Sequence, residues 1–178
     1  MFQINYLQVI NLQIPITREC GLDDICITDV QLYMAPIFPP ERNYLVFGQR
    51  ERLTISVEVI NRGEPAYEAQ LFVVHDTDLY FVRAEGVSCH SSEGAVNATS
   101  SLLQCDVGNP LAANSVKGMN LVFDPTNLDY SITVVVISTY LTTHSIEVNS
   151  SALNNNDTLF IPLQNDAQVT FTGYVLYM

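Results

Sequence analysis

Hydrophobic and polar positions alternate along much of this chain with a period of two. From Arg52 to Ile60, the residues Leu53, Ile55, Val57 and Val59 fall on one side and Arg52, Thr54, Ser56 and Glu58 on the other. That is the spacing of a strand with one face in a core and one in water. The stretch Asn61-Arg62-Gly63-Glu64-Pro65 ends it, because Gly tolerates positive φ and Pro cannot donate to a ladder. Alternation resumes with Tyr67, Ala69, Leu71 and Val73 against Glu68, Gln70 and Phe72, which predicts the second arm of an antiparallel pair.

Before this, Ile27 to Met34 runs into Ala35-Pro36-Ile37-Phe38-Pro39-Pro40, a Pro-rich turn that excludes helix and marks an edge or a connection. Further strands are predicted at Tyr44 to Phe47, Leu79 to Val82, Ser101 to Cys105, Met119 to Phe123 and Ile132 to Ile137. The last is β-branched throughout and suits a central strand. Leu12, Ile14 and Ile16 suggest a strand ending at the first cysteine; Val169, Phe171, Tyr174 and Leu176 suggest one more at the far end. The polar run Thr142 to Asp157 reads as a loop or a linker between domains. No helical period appears. Short strands bounded by turns predict an all-β fold, an antiparallel β-sandwich of immunoglobulin-like two-sheet architecture, with a single barrel as the alternative.

Composition narrows the function. The 178 residues carry a net charge of -12 with 7 Lys plus Arg, and 48% of them are hydrophobic. The chain is therefore globular, and its scattered cations exclude nucleic acid as a partner, since counterion release needs clustered Lys and Arg. No run of 18 apolar residues exists, so nothing here reads as a membrane span. The first residues lack a basic n-region and do not read as a signal peptide, so the chain is expected to be a fragment.

Secretion is expected all the same. The 4 cysteines allow three connectivities, and locality favours Cys20 with Cys26 and Cys89 with Cys105. Their spacings match no common zinc pattern. Three sequons, at Asn97, Asn149 and Asn156, lie in polar turn-like stretches where a glycan is tolerated. Joined, Cys20 and Cys26 would close a ring around Asp23 and Asp24, bringing carboxylates and carbonyls to one point, as an oxygen-ligand cation site requires. Glu64 is a further candidate, placed in the turn that ends the best strand.

Catalysis is not expected. There is no G-x-S-x-G, no H-E-x-x-H and no phosphate-binding glycine loop. His75 and Asp76 are adjacent, and neighbours on a strand point to opposite faces. Each of His75, His90 and His144 reads as a turn or rim residue.

The combination Cys20-Gly21-x-Asp23-x-x-Cys26, Asn61-x-Gly63-Glu64-x-Ala66-Tyr67-Glu68-Ala69, Ser88-Cys89 and Cys105-Asp106-Val107-Gly108-Asn109-Pro110-Leu111 resembles the calf-1 domain of integrin alpha subunits. The resemblance implies that residues 1–18 are the last strand of the preceding thigh domain, 19–160 the calf-1 sandwich, and 161–178 the start of calf-2. It further implies a structural calcium ion at the genu, the knee between thigh and calf-1. Its ligands would be the side chains of Asp23 and Glu64 and the main-chain carbonyls of Cys20 and Ile25. By the same resemblance this is the extracellular leg of a single-pass receptor in the cell membrane, paired with an integrin beta subunit and engaging matrix or cell-surface ligands through a head absent from this segment. A different class of function is a free-standing secreted sandwich binding carbohydrate or another small ligand through Tyr44, Phe47 and Tyr80.

Overall fold

The computed structural model describes residues 18–47, 51–97, 99–148 and 154–164. Its strands in chain order are β1 (Ile27–Thr28), β2 (Val30–Ile37), β3 (Leu45–Val46), β4 (Leu53–Asn61), β5 (Ala69–Asp76), β6 (Tyr80–Glu85), β7 (Ser88–Asn97), β8 (Ser100–Gly108), β9 (Ser115–Asp124), β10 (Val134–Thr142), β11 (Ile146–Glu147) and β12 (Asn156–Gln164). One sheet runs β2-β4-β9-β6, the other β3-β12-β10-β5-β8-β7, and β1 pairs with β11 beside them. The large sheets are antiparallel, except that β3 joins β12 in parallel; β1 and β11 are parallel too. The described residues hold strands and no helix.

The period of two produces the core. Leu53, Ile55, Val57 and Val59 on β4 are no more than 1% exposed, and Leu71 and Val73 on β5 are at 0%. They pack in one cluster with Leu103 and Cys105 from β8, Leu121 and Phe123 from β9, and Ile137 from β10. Each fully buried aliphatic side chain contributes about 1.5–3 kcal/mol of transfer free energy, so the cluster between the two sheets is what holds them together. The β-branched run enters β10 at Val134, with Ile132 and Thr133 before the strand, and β10 lies between β12 and β5, as a central strand should.

Several expectations change. Strands β4 and β5 do not pair: β4 lies between β2 and β9, and β5 between β10 and β8. The turn after β4 carries the chain from one sheet to the other, and its own N–H groups bond elsewhere, Arg62 to the Asp29 carbonyl and Glu64 to the Ile27 carbonyl. The Pro-rich segment is not all turn, for β2 continues through Pro36 to Ile37. An edge strand tolerates this, since an outward-facing N–H is not missed. Strand β7 was not anticipated, because its sequence SCHSSEGAVN shows no alternation. The polar run from Thr142 contains β11, and β12 carries the sandwich to Gln164, with Ile161 and Leu163 in the core. The strands expected at residues 12–16 and 169–176 lie outside the described residues.

Candidate cation centre at the Cys20 clasp

Disulfides join Cys20 to Cys26 and Cys89 to Cys105, with Cα atoms 4.8 and 4.0 Å apart. The second links register partners on β7 and β8, tying an edge strand with little apolar surface to the sheet. The first closes the clasp. Its backbone curls through positive φ at Gly21 (75°) and Asp24 (56°), and the Asp23 carboxylate folds inward, its Oδ1 accepting the Ile25 N–H at 3.2 Å.

Glu64 arrives from the turn after β4. Its Oε2 accepts the Ile27 N–H at 2.8 Å. A Cβ placed on Gly21 would stand 3.9 Å from Asp23 Oδ1 and 3.9 Å from Glu64 Oε1. The two carboxylates therefore converge over a residue that offers no side chain of its own, and among the described residues neither forms an ion pair. Two carboxylates facing one point suit a bound cation, and hard oxygen donors suit calcium, which completes its shell with carbonyls and water. Cys20 and Ile25, whose carbonyls were expected as ligands, belong to the same ring, the first buried at 1% and the second exposed at 46%. The donors present fit the ion. No cluster of three or more His, Cys, Asp or Glu side chains able to hold a metal occurs among the described residues, so any such site must use carbonyls or amides as well.

What holds Glu64 in place is Asn61, which is fully buried. Its Nδ2 donates to the carbonyls of Glu64 (2.8 Å), Leu111 (3.2 Å) and Ala112 (3.1 Å). Its Oδ1 accepts from Thr28 Oγ1 at 2.8 Å and from the Gly63 N–H at 3.1 Å. One side chain thus binds the turn, the strand β1 and the loop after β8. Gly63 is equally constrained, since a Cβ there would lie 2.6 Å from the Asp29 nitrogen and 2.8 Å from the Ile27 carbonyl oxygen. Sequence reasoning passed over Asn61 as a turn residue; the Asn-x-Gly spacing was the only signal of its role.

The remaining predicted residues are dispersed. His75 is no rim residue: it is 3% exposed on β5, its ring set edge-on to Phe123 at 5.1 Å. Its Nδ1 meets the Asp76 carbonyl at 2.9 Å, and burial lowers its pKa below the ordinary value. His144 pairs with Glu68 at 2.8 Å on the surface, and His90 is exposed on β7. Phe47 packs on Tyr130 at 5.2 Å, Tyr44 lies beneath Arg42, and Tyr80 is 58% exposed on β6 in the other sheet. Asn97 ends β7, Asn156 begins β12 and is exposed, and Asn149 lies outside the described residues.

Comparison with known proteins is consistent along nearly the whole chain. The family model described as integrin alpha Ig-like domain 2 matches residues 20–160. Human integrin alpha-8 is 26% identical over 180 residues, covering 96% of this chain and 16% of its own length. Mouse integrin alpha-2 is 30% identical over 170 residues, covering 89% of this chain and 14% of its own length. Human integrin alpha-IIb is 28% identical over 168 residues, covering 90% of this chain and 15% of its own. Among solved structures, a cohesin module from Clostridium perfringens superposes at TM-score 0.40 with 10% identity, covering 79% of this chain and 99% of that one. This chain thus spans about a sixth of the curated relatives it matches. Its two-sheet core, its two disulfides and the family match over residues 20–160 agree, and the chain belongs to the integrin alpha Ig-like domain 2 family.

Proposed function

We propose that this domain is a leg module of an integrin alpha-type adhesion receptor, with a calcium ion held between the Cys20–Cys26 clasp and the turn after β4. The observation that carries this reading is the convergence of Asp23 Oδ1 and Glu64 Oε1 over Gly21. The clasp precedes the sandwich in the chain, and Glu64 belongs to its body. An ion bound to both fixes the angle at which the chain enters, restraining the joint with a preceding thigh domain. Asp23 and Glu64 supply carboxylate oxygens and the Cys20 and Ile25 carbonyls two more; the ion supplies positive charge that cancels their repulsion. The receptor would work as a heterodimer with an integrin beta subunit at the cell surface, engaging matrix or cell-surface ligands through its head, with glycans on Asn97, Asn149 and Asn156. Residues from about 165 onward would enter the next leg domain.

Calcium titration by calorimetry tests the site. Asp23→Ala with Glu64→Ala removes one bound ion per chain; an unchanged stoichiometry and affinity overturns the reading.

A further inference from the structure

A second group of oxygens gathers where β1 pairs with β11. Asp29 follows β1, Glu147 ends β11, and Asn155 immediately precedes β12. The backbone brings them together: Thr28 and Glu147 are register partners, and the Val30 N–H donates to Glu147 Oε1 at 2.9 Å. The Asn155 side chain also hydrogen-bonds Glu147, and the Asp29 charge acts on the same carboxylate.

Those bonds leave one oxygen of each group over. Asp29 Oδ1, Glu147 Oε2 and Asn155 Oδ1 are each buried without a hydrogen-bond partner, and so is Asn154 Oδ1, next along the chain. Asn155 is only 8% exposed. Among the described residues no Lys, Arg or His pairs with Asp29 or Glu147. One oxygen of each carboxylate and the Asn155 amide oxygen are thus withdrawn from water without a donor, which is costly, because a buried acceptor loses its hydration and gains nothing in return. Burial raises the Glu147 pKa above the ordinary value, helped by the Asp29 charge and opposed by the bonds from the Val30 N–H and the Asn155 side chain.

We propose that Asp29, Glu147 and Asn155 form a second divalent-cation site, a hard-oxygen centre that ties β1 and β11 to the start of β12. Each orphaned oxygen becomes a ligand. Two carboxylates cancel the ion's charge, a side-chain amide adds a neutral oxygen, and water fills the remaining positions, a donor set that suits calcium or magnesium and excludes softer metals. The site shares no side chain with Asp23 and Glu64 and does not depend on them.

The test uses the whole 178-residue chain carrying Asp23→Ala and Glu64→Ala, titrated with calcium chloride and separately with magnesium chloride. One bound ion per chain is expected to remain, together with a cation-dependent rise in melting temperature. Adding Glu147→Gln, which keeps an acceptor for the Val30 N–H, is expected to weaken binding at least tenfold and abolish the rise; Asn155→Leu in the same background is expected to weaken it as well. If the doubly substituted background binds no cation, or binds equally with Glu147→Gln added, the proposal fails. A background that ignores cations while Glu147→Gln stabilises it means that the two carboxyls share a proton, which also overturns the proposal. Should the wild type and the Asp23/Glu64 variant bind the same number of ions while Glu147→Gln removes one, the clasp site is absent and this one stands.

Discussion

Glu64 and Ile27 hold each other twice: the Glu64 N–H donates to the Ile27 carbonyl at 2.9 Å, and the Ile27 N–H donates to Glu64 Oε2 at 2.8 Å. The side chain that would bind calcium is therefore also the clip between the clasp and the turn. Its two roles separate by substitution. In chelator, Glu64→Ala is expected to cost about 0.5–1.5 kcal/mol, one net hydrogen bond. Glu64→Gln, which retains an acceptor, is expected to cost less. In calcium both variants lose the stabilisation gained through binding. Urea unfolding of the three proteins with and without calcium reads both effects, and equal behaviour of Ala and Gln in chelator would sink the clip.

Asn61 is expected to be among the most sensitive positions in the chain. Asn61→Leu strips partners from the Glu64, Leu111 and Ala112 carbonyls, from Thr28 Oγ1 and from the Gly63 N–H. Burying several orphaned groups is expected to cost about 3–5 kcal/mol. The same substitution is expected to weaken calcium binding, because Glu64 loses its anchor. Denaturant midpoints and a calcium isotherm measure both. A loss under about 1 kcal/mol would show that water replaces these bonds.

His75 makes stability depend on pH. Desolvation lowers its folded pKa below the ordinary value of 6.5, against smaller raising effects of the Asp76 and Leu79 backbones and the Asp76 charge. The unfolded chain then binds more protons than the folded one once pH drops under 6.5. Stability is fully present above that pH and is lost as pH falls from there through the folded pKa. His75→Leu, which fills the place beside Phe123 without a titrating ring, is expected to flatten this part of the curve. The check is unfolding free energy of both proteins from pH 8 to 5, and parallel curves would contradict the assignment.

The two-sheet fold was legible where a single face carried the signal. Leu53 to Val59 alternate strictly, and their burial follows that alternation. The β4–β5 pairing was misread because alternation reports which face is buried and is silent on which strand lies alongside. The Asn61–Pro65 turn looked like a hairpin turn locally, while its hydrogen bonds go to Asp29 and Ile27, more than thirty positions back. Strand β7 was illegible for the opposite reason: Cys89 is held by a covalent bond to Cys105, so the strand needs no apolar face. At the clasp, the cysteines and Asp23 announced themselves by spacing. Glu64 was visible as a turn acid, but its meeting with Asp23 came from the resemblance. Asn155 and Glu147 lay in a run read as loop, and their burial could not be inferred from polar residues alone.

The parallel partners β1–β11 and β3–β12 also decide when the domain can finish folding on the ribosome. Chains emerge amino end first, and domains fold as units once their parts are available. The sheet β2-β4-β9-β6 is complete once Asp124 has emerged, and β5, β8 and β7 can already pair by then. Strands β1 and β3, by contrast, find their strand partners only in Ile146–Glu147 and Asn156–Gln164. The Cys20–Cys26 ring can close as a purely local event, but the segments just after it stay unsealed until the last strand of the sandwich arrives. A nascent chain stalled after Asp124 would thus leave the hydrogen-bonding edge of β5, where β10 belongs, unpaired and open to chaperones or to another strand.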